Sequence, residues 1–165
     1  MIEDIYVEKS IKNQKITLQV MERIKPKNII FCNNYKEVFN PRNQNFKLQK
    51  IKPSLILAKK NRNLLTQIPK NFTIGGQKNF YFSHMLNCIY DCRYCFLQGM
   101  FNSANYVVFI NYSDFKKEIY KKIELYKSET IHFFSGYDCD SLALEPITHF
   151  FSIFMKNLNL PKNAL

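Results

Sequence analysis

The second half of this sequence alternates apolar runs with amphipathic segments, and the alternation restricts the folds that it can adopt. Three runs predict strands, at residues 80–86, 106–110 and 131–134. The middle run is apolar along its whole length, which is typical of a parallel strand buried on both faces. Strands that alternate with helices predict an α/β fold with right-handed crossovers, either a parallel sheet or a barrel.

Two helices are predicted beside these strands. Ser113 is a candidate N-cap for a helix that reaches about Tyr126, with apolar residues three or four positions apart on one face. Pro146 suits the first position of a second helix, whose apolar periodicity continues until Pro161 ends it. Three strands and two or three helices cannot close a barrel. We therefore expect residues 79–165 to be the first, truncated part of a (β/α) barrel in the N-terminal portion of a longer protein.

Residues 1–78 predict a small basic α/β region that leads into this partial barrel. The run at residues 29–31 predicts a short buried strand, and the run at 55–58 is a second apolar segment. Residues 35–39 predict a helical turn that Asn40 and Pro41 end, and residues 61–76 predict a connecting loop.

The net charge of +11 lies entirely in the first half of the chain. Residues 1–87 carry sixteen Lys and Arg against five Asp and Glu, whereas residues 88–165 carry eight of each. Such asymmetry indicates a polyanionic partner such as nucleic acid, reached through the first half. The codon usage of an AT-rich genome explains the positive charge equally well, because it enriches a sequence in Lys together with Asn and Ile.

The sequence also bears on membranes and redox state. No run of 18 or more apolar residues predicts a membrane span, and the polar N-terminus lacks the apolar core of a signal peptide. We therefore expect a cytoplasmic protein. Five cysteines, three of them within eight residues, fit a metal or catalytic role in a reducing compartment better than a set of disulfides.

Cys88, Cys92 and Cys95 form the motif Cys-x3-Cys-x2-Cys. Three thiolates on a 4Fe–4S cluster leave one iron without a protein ligand, and the amino and carboxylate groups of S-adenosylmethionine can chelate that iron. Reduction then cleaves the sulfonium bond to a 5′-deoxyadenosyl radical. A zinc site is the alternative, and it would need His84 or Cys139 as a fourth ligand. Tyr94, before the third cysteine, is expected to pack near the adenine.

The sequence resembles the spore photoproduct lyase family of radical S-adenosylmethionine (radical SAM) enzymes. The resemblance rests on residues 46–58, 88–99, 106–111 and 135–143. It implies a lyase that repairs thymine-dimer lesions in DNA, with a 4Fe–4S cluster and S-adenosylmethionine as cofactors. A reductant such as flavodoxin or ferredoxin is implied as a further partner. No interaction with a membrane is expected.

The resemblance also assigns roles to residues around the predicted third strand. Cys139 lies where the family places the thiol that returns a hydrogen atom to the product radical, although a small buried residue at a strand end explains it equally well. Ser135, Gly136 and Ser141 are expected to bind the cofactor. Gly136 would let the backbone approach its methionyl part, but a plain strand-to-helix turn explains that glycine as well.

The chain departs from the family at Phe96, where the lyases have a tyrosine proposed to relay hydrogen with the donor cysteine. Tyr94 or Tyr137 could take over that relay. Alternatively, the chain acts on a substrate other than DNA, or is a non-catalytic metal-binding module that holds nucleic acid. The 165 residues alone are expected to be inactive. His84 and His132 are expected to be satisfied residues of the core or barrel lining.

Overall fold

The computed structural model describes residues 2–39, 42, 44–72 and 74–165. The strands are β1 (Asp4–Glu8), β2 (Asn28–Cys32), β3 (Leu55–Ala58), β4 (Thr66–Gln67), β5 (Lys78–Phe82), β6 (Met85–Leu86), β7 (Tyr106–Phe109) and β8 (Ile131–Ser135). The helices are α1 (Lys15–Ile24), α2 (Phe46–Ile51), α3 (Tyr112–Leu125), α4 (Glu145–Thr148) and α5 (Phe150–Met155).

Five strands form the larger sheet, in the order β2-β1-β3-β7-β6. The first four are parallel, and the short β6 pairs antiparallel with β7. The smaller sheet has the order β4-β5-β8, in which β5 and β8 are parallel and β4 is antiparallel. The predicted α/β class is confirmed, and no closed barrel forms within the described ranges.

The larger sheet is covered on both faces. Leu55 and Leu57 of the central strand β3 pack into one core with Val20 of α1, while Ile56 and Ala58 face the second core. That second core contains the apolar side chains of β5, α3 and α5. Alternate side chains of a strand point to opposite faces, so burial on both sides makes all four residues of β3 inaccessible to solvent.

The single strand predicted at residues 80–86 is wrong, because the segment belongs to both sheets. β5 ends at Phe82 in the smaller sheet, Ser83 and His84 cross over, and β6 begins at Met85 in the larger one. Apolar periodicity did not reveal the crossover because both halves are apolar. The cysteine segment therefore leaves β6, within reach of both sheets.

The prediction of a buried strand at residues 29–31 is wrong in its burial. These residues lie in β2 at the edge of the larger sheet, and the side chains of Ile29, Ile30 and Phe31 are exposed. The turn predicted at 35–39 is a 3-10 helix at Tyr35–Glu37. Asn40 and Pro41, which were expected to end it, lie outside the described residues.

The other expectations hold with local changes. β4 and a 3-10 turn at Lys70–Phe72 interrupt the predicted loop at 61–76. Helix α3 begins one residue before Ser113, with Asn111 at the N-cap position.

The last predicted helix is divided in two at His149. This residue has a left-handed conformation, with φ of 49°. The Glu145 carboxylate accepts hydrogen bonds from the backbone N–H groups of Phe151 and Ser152 and so caps α5. Pro146 is the second residue of α4 rather than the first, and α5 ends at Met155, before the predicted end at Pro161.

The division into residues 1–78 and 79–165 stays a prediction. Strands from both sides of residue 78 pair in the same sheet, since β3 lies beside β7.

Candidate active site

The two ends of the cysteine loop, residues 87–105, are joined by the side chain of the buried residue Asn87. Asn87 follows β6 with a φ of 65°, a conformation that asparagine tolerates better than most residues. Its side-chain amide donates to the carbonyls of Ser103 at 2.7 Å and Asn105 at 2.8 Å. These two bonds join the start of the loop to its end, just before β7.

Helix α2 holds the middle of the cysteine loop. Lys50 Nζ lies 2.5 Å from Asp91 Oδ1 and 2.9 Å from Gln98 Oε1. Gln98 in turn donates from Nε2 to the carbonyl of Tyr90 at 3.1 Å. The residue at position 50 thus links both arms of the segment that carries the cysteines.

Cys88, Cys92 and Cys95 are all half-buried. The N–H of Cys95 donates to the carbonyl of Cys92 at 3.0 Å, so these two residues share one turn. The Cys88 sulfur lies 3.5 Å from the backbone N–H of Tyr90 and accepts a hydrogen bond from it. The loop therefore presents three thiols, none of them in a disulfide.

Within the described ranges, no three His, Cys, Asp or Glu side chains lie close enough to share one metal ion. In a 4Fe–4S cluster each thiolate binds a different iron, so the sulfurs lie farther apart than the ligands of a single ion. Three accessible thiols on one short loop, whose carboxylate at Asp91 is paired with Lys50, are the donor set of an iron–sulfur cluster. The residues present therefore fit such a cluster by their chemistry.

Three of the residues predicted to bind the cofactor lie together after β8. The hydroxyls of Ser135 and Ser141 are 2.6 Å apart, and Gly136 lies between them in sequence with a φ of 88°. A Cβ on Gly136 would collide with Ser141 Oγ and approach the carbonyl oxygen of Cys139 to 2.9 Å. This 135–141 turn therefore requires glycine at position 136 for two independent reasons.

Cys139 is buried in this turn, with 4% of its surface exposed. It packs in the same core as Met85 and Leu144. Burial raises the pKa of the thiol to about 12, with smaller contributions in the same direction from Asp138, Cys88 and Asp140. The side chain therefore keeps its S–H hydrogen at neutral pH.

Aromatic rings connect the cysteine loop to the 135–141 turn. The ring centroid of Phe96 lies 6.0 Å from that of Tyr137, which lies 4.5 Å from that of Tyr81 in β5. Tyr94 is 93% exposed, so its expected contact with an adenine stays a prediction.

His84 is buried as predicted, but it is not satisfied. Neither ring nitrogen has a hydrogen-bond partner within the described part of the chain, and the ring stacks on Phe150 with centroids 3.5 Å apart. Burial, with a smaller contribution from the nearby charge of Lys60, lowers the pKa of His84 to about 3. The apolar neighbours of His84 in sequence suggested burial, but they carried no signal that its nitrogens would lack partners.

Comparison with solved structures identifies the architecture. A spore photoproduct lyase variant with a cysteine replaced by serine has a TM-score of 0.77 and 14% sequence identity. The match covers 99% of this chain and 48% of that one. The fold is that of the N-terminal part of spore photoproduct lyase.

Two further structures of spore photoproduct lyase give the same result. One is a double variant with bound AdoMet and dinucleoside spore photoproduct, with a TM-score of 0.77 and 13% identity. The other is a complex with dinucleoside spore photoproduct, with a TM-score of 0.74 and 14% identity. Both matches cover 99% of this chain and 48% of the other, so the chain spans about half the length of spore photoproduct lyase.

No protein-family model matches the sequence, and neither does any curated protein. The likeness to spore photoproduct lyase is therefore one of fold. Within the described residues, no helix is both long and apolar enough to cross a bilayer.

Proposed function

We propose that this chain forms the cluster-binding part of a radical SAM enzyme that repairs a thymine-dimer lesion in DNA. The observation that carries the proposal is the contact between the cysteine loop and the 135–141 turn. The loop with three unpaired thiols contacts, through Phe96 and Tyr137, the turn that contains Ser135, Gly136 and Cys139. The fold shared with spore photoproduct lyase supports the same activity.

Each segment has a distinct role in this proposal. Cys88, Cys92 and Cys95 would hold a 4Fe–4S cluster, which with S-adenosylmethionine would supply a 5′-deoxyadenosyl radical. The hydroxyls of Ser135 and Ser141 would hydrogen-bond polar groups of the cofactor. Gly136 would let the cofactor approach the backbone, because it has no side chain to block it.

Cys139 would return a hydrogen atom to the substrate radical. The S–H bond breaks homolytically, the carbon radical gains the hydrogen, and a thiyl radical remains on Sγ. This step needs a protonated thiol, and the raised pKa of Cys139 maintains that state. Tyr137 is better placed than Tyr94 to take part in a relay, since it contacts Phe96 and lies two residues from Cys139.

Anaerobic reconstitution of the chain with iron and sulfide tests the proposal. We expect the absorbance and the reduced-state electron paramagnetic resonance (EPR) signal of a 4Fe–4S cluster, and a change in that signal when S-adenosylmethionine is added. Replacing Cys88, Cys92 and Cys95 with alanine should abolish the cluster, while the matched variant Cys32→Ala should keep it. Zinc in anaerobically purified protein, or a cluster that survives the triple replacement, would contradict the assignment.

A second candidate function keeps the radical chemistry and changes the substrate. It is favoured by Phe96, which has no O–H hydrogen to relay. Incubation of the reconstituted chain, or of a longer form that contains it, with dinucleoside spore photoproduct separates the two candidates. Release of thymine monomers supports the repair reaction, whereas cofactor cleavage without monomers supports a different substrate.

A further inference from the structure

A basic cavity of about 530 Å³ lies beside the candidate active site. It is bounded by the segments that follow the carboxyl ends of β2, β3 and β5, and by Asp138 of the 135–141 turn. Ligands of open α/β sheets commonly bind at the carboxyl ends of their strands. The volume is in the range of small-ligand pockets.

Four cations and one carboxylate line the cavity. The cations are Lys36, Lys59, Lys60 and Arg62, and the carboxylate is Asp138. Lys59 Nζ lies 4.0 Å from Asp114, whereas the other three cations have no carboxylate within 4.0 Å in the part of the chain that the structure describes. The cavity therefore has an excess of positive charge, and three of its four cations form no ion pair with the described residues.

Two buried polar side chains, those of Glu8 and Asn111, hydrogen-bond the backbone of the segments that carry these lysines. The carboxylate of Glu8 accepts the N–H of Tyr35 at 2.8 Å and that of Lys59 at 3.0 Å. The side-chain amide of Asn111 accepts from the N–H of Lys60 at 2.9 Å and donates to its carbonyl at 3.0 Å. The floor of the cavity is thus rigid, and a preorganised site loses less entropy on binding.

Lys60 is the best placed of the four cations. Its Nζ lies over the ring of Phe109, 5.3 Å from the centroid, and its one hydrogen-bond acceptor in the described chain is the Ser83 carbonyl at 3.4 Å. An ammonium group has three donors, so most of its capacity is unused. Burial lowers the pKa of Lys60 although Asp138 opposes this, and a bound anion would stabilise the charged form.

We propose that this cavity binds a backbone phosphate of a single DNA strand. The proposal rests on the proposed function for the identity of the strand, and on the unpaired cations for the phosphate. Ser83 lines the cavity, and its hydroxyl accepts the N–H of Asp138 at 2.9 Å, one residue before Cys139. A phosphate held by Lys60 therefore places the neighbouring nucleotide beside the 135–141 turn.

Fluorescence anisotropy of the cluster-free chain with a labelled oligothymidylate tests this assignment. The variant Lys36→Gln/Arg62→Gln changes two exposed cavity residues, and Lys60→Met removes the third charge while keeping an apolar stem. The matched control is Lys117→Gln/Lys156→Gln, which removes the same net charge from exposed positions outside the cavity. Circular dichroism and thermal melting establish that each variant is folded.

We expect the cavity double variant to bind at least about tenfold more weakly than the control at low salt. The slope of log K against log salt should fall by about 0.7, since one phosphate contact to a single strand contributes about 0.7. For an uncharged methylphosphonate oligomer, the cavity double variant and the control double variant should bind with the same affinity. Equal weakening in both would overturn the proposal.

Thymidine monophosphate distinguishes the source of the phosphate. If it binds the wild-type chain more tightly than the oligomer does, and loses binding in Lys60→Met, the cavity takes a free nucleotide and the strand assignment is overturned. Because no cluster is needed for any of these measurements, a chain that binds DNA here but fails to cleave S-adenosylmethionine would contradict the proposed function alone.

Discussion

The hydroxyl oxygens of Ser135 and Ser141 lie 2.6 Å apart across the 135–141 turn, and Gly136 leaves just enough room for this contact. The hydrogen bond joins the end of β8 to the segment after Cys139. Any side chain added at Gly136 must displace Ser141, so the turn itself can be tested by mutation.

Gly136→Ala should destabilise the chain more than Gly99→Ala. Both glycines have positive φ, 88° and 99°, so both substitutions carry a backbone strain of about 1–3 kcal/mol. A Cβ at Gly99 meets no atom within 4 Å, whereas one at Gly136 collides with Ser141 and adds about 1–3 kcal/mol of overpacking. Urea denaturation measures the difference in the free energy of unfolding. Equal losses of stability in the two variants would show that Ser141 can move aside without destabilising the turn.

The five cysteines should fall into two classes of reactivity in the cluster-free folded chain. Cys88, Cys92 and Cys95 are half-buried and should react readily with iodoacetamide. Cys32 and Cys139 should be protected, because they are buried and burial raises the pKa of both thiols. Mass spectrometry of labelled peptides gives the rates, and urea should remove the protection. Rapid labelling of Cys139 in the native chain would refute its burial.

Replacing Asn87 should loosen the cysteine loop. Asn87→Ala loses two hydrogen bonds to buried carbonyls and places alanine at a φ of 65°, which should cost about 2–4 kcal/mol. Asn87→Gly removes the same amide without the backbone strain. We therefore expect the glycine variant to recover part of the stability in urea, while both variants become more sensitive to proteolysis within the cysteine loop. Full recovery by glycine would mean that the amide contributes nothing.

His84 should make the stability of the chain depend on pH. Its pKa in the folded state is about 3, against 6.5 as the ordinary value, so below pH 6.5 the unfolded chain takes up a proton that the folded chain does not. Stability is therefore lost as the pH falls from 6.5 towards 3. The loss by pH 5 should be about 2 kcal/mol, at 1.36 kcal/mol per unit.

The variant His84→Leu isolates this contribution. Its free energy of unfolding should change less between pH 7 and pH 5 than that of the wild type, whereas His132→Gln should behave as the wild type does. His132 is the matched control because its ring is only half-buried and its Nδ1 lies 3.1 Å from the carbonyl of Ile74. An unchanged pH profile in His84→Leu would mean that His84 is hydrated or partnered in solution.

The sequence was sufficient to predict the α/β class, the strand at β7 and the extent of α3, because these elements have strong and regular apolar periodicity. It was not sufficient at β5 and β6, where one apolar run serves two sheets and the change of sheet at Ser83 and His84 leaves no mark in the pattern. It also mispredicted the burial of β2, because the edge position of a strand depends on the order of the sheet.

The candidate site was predictable to a similar extent. The cysteine motif was recognisable from its spacing, whereas the Ser135–Ser141 segment was predicted only from the family resemblance, and the structure brings the two serines of this segment together. The basic cavity was not recognisable, since Lys36 is distant in sequence from Lys60 and Arg62 and meets them only because β2 and β3 both flank β1. The asymmetry of charge predicted a polyanion but could not locate where it would bind.

The assignment of residues 78–86 to two sheets has a consequence for the maturation of the protein. The cysteine loop leaves β6, which pairs with β7, whereas the 135–141 turn leaves β8, which pairs with β5, and β5 and β8 are far apart along the chain. Contacts between distant residues form slowly, because the chain entropy lost in closing a long loop must be overcome first. We therefore expect the contact of Phe96 with Tyr137, which joins the cysteine loop to the 135–141 turn, to form late in folding, so that the proposed site is completed by this contact.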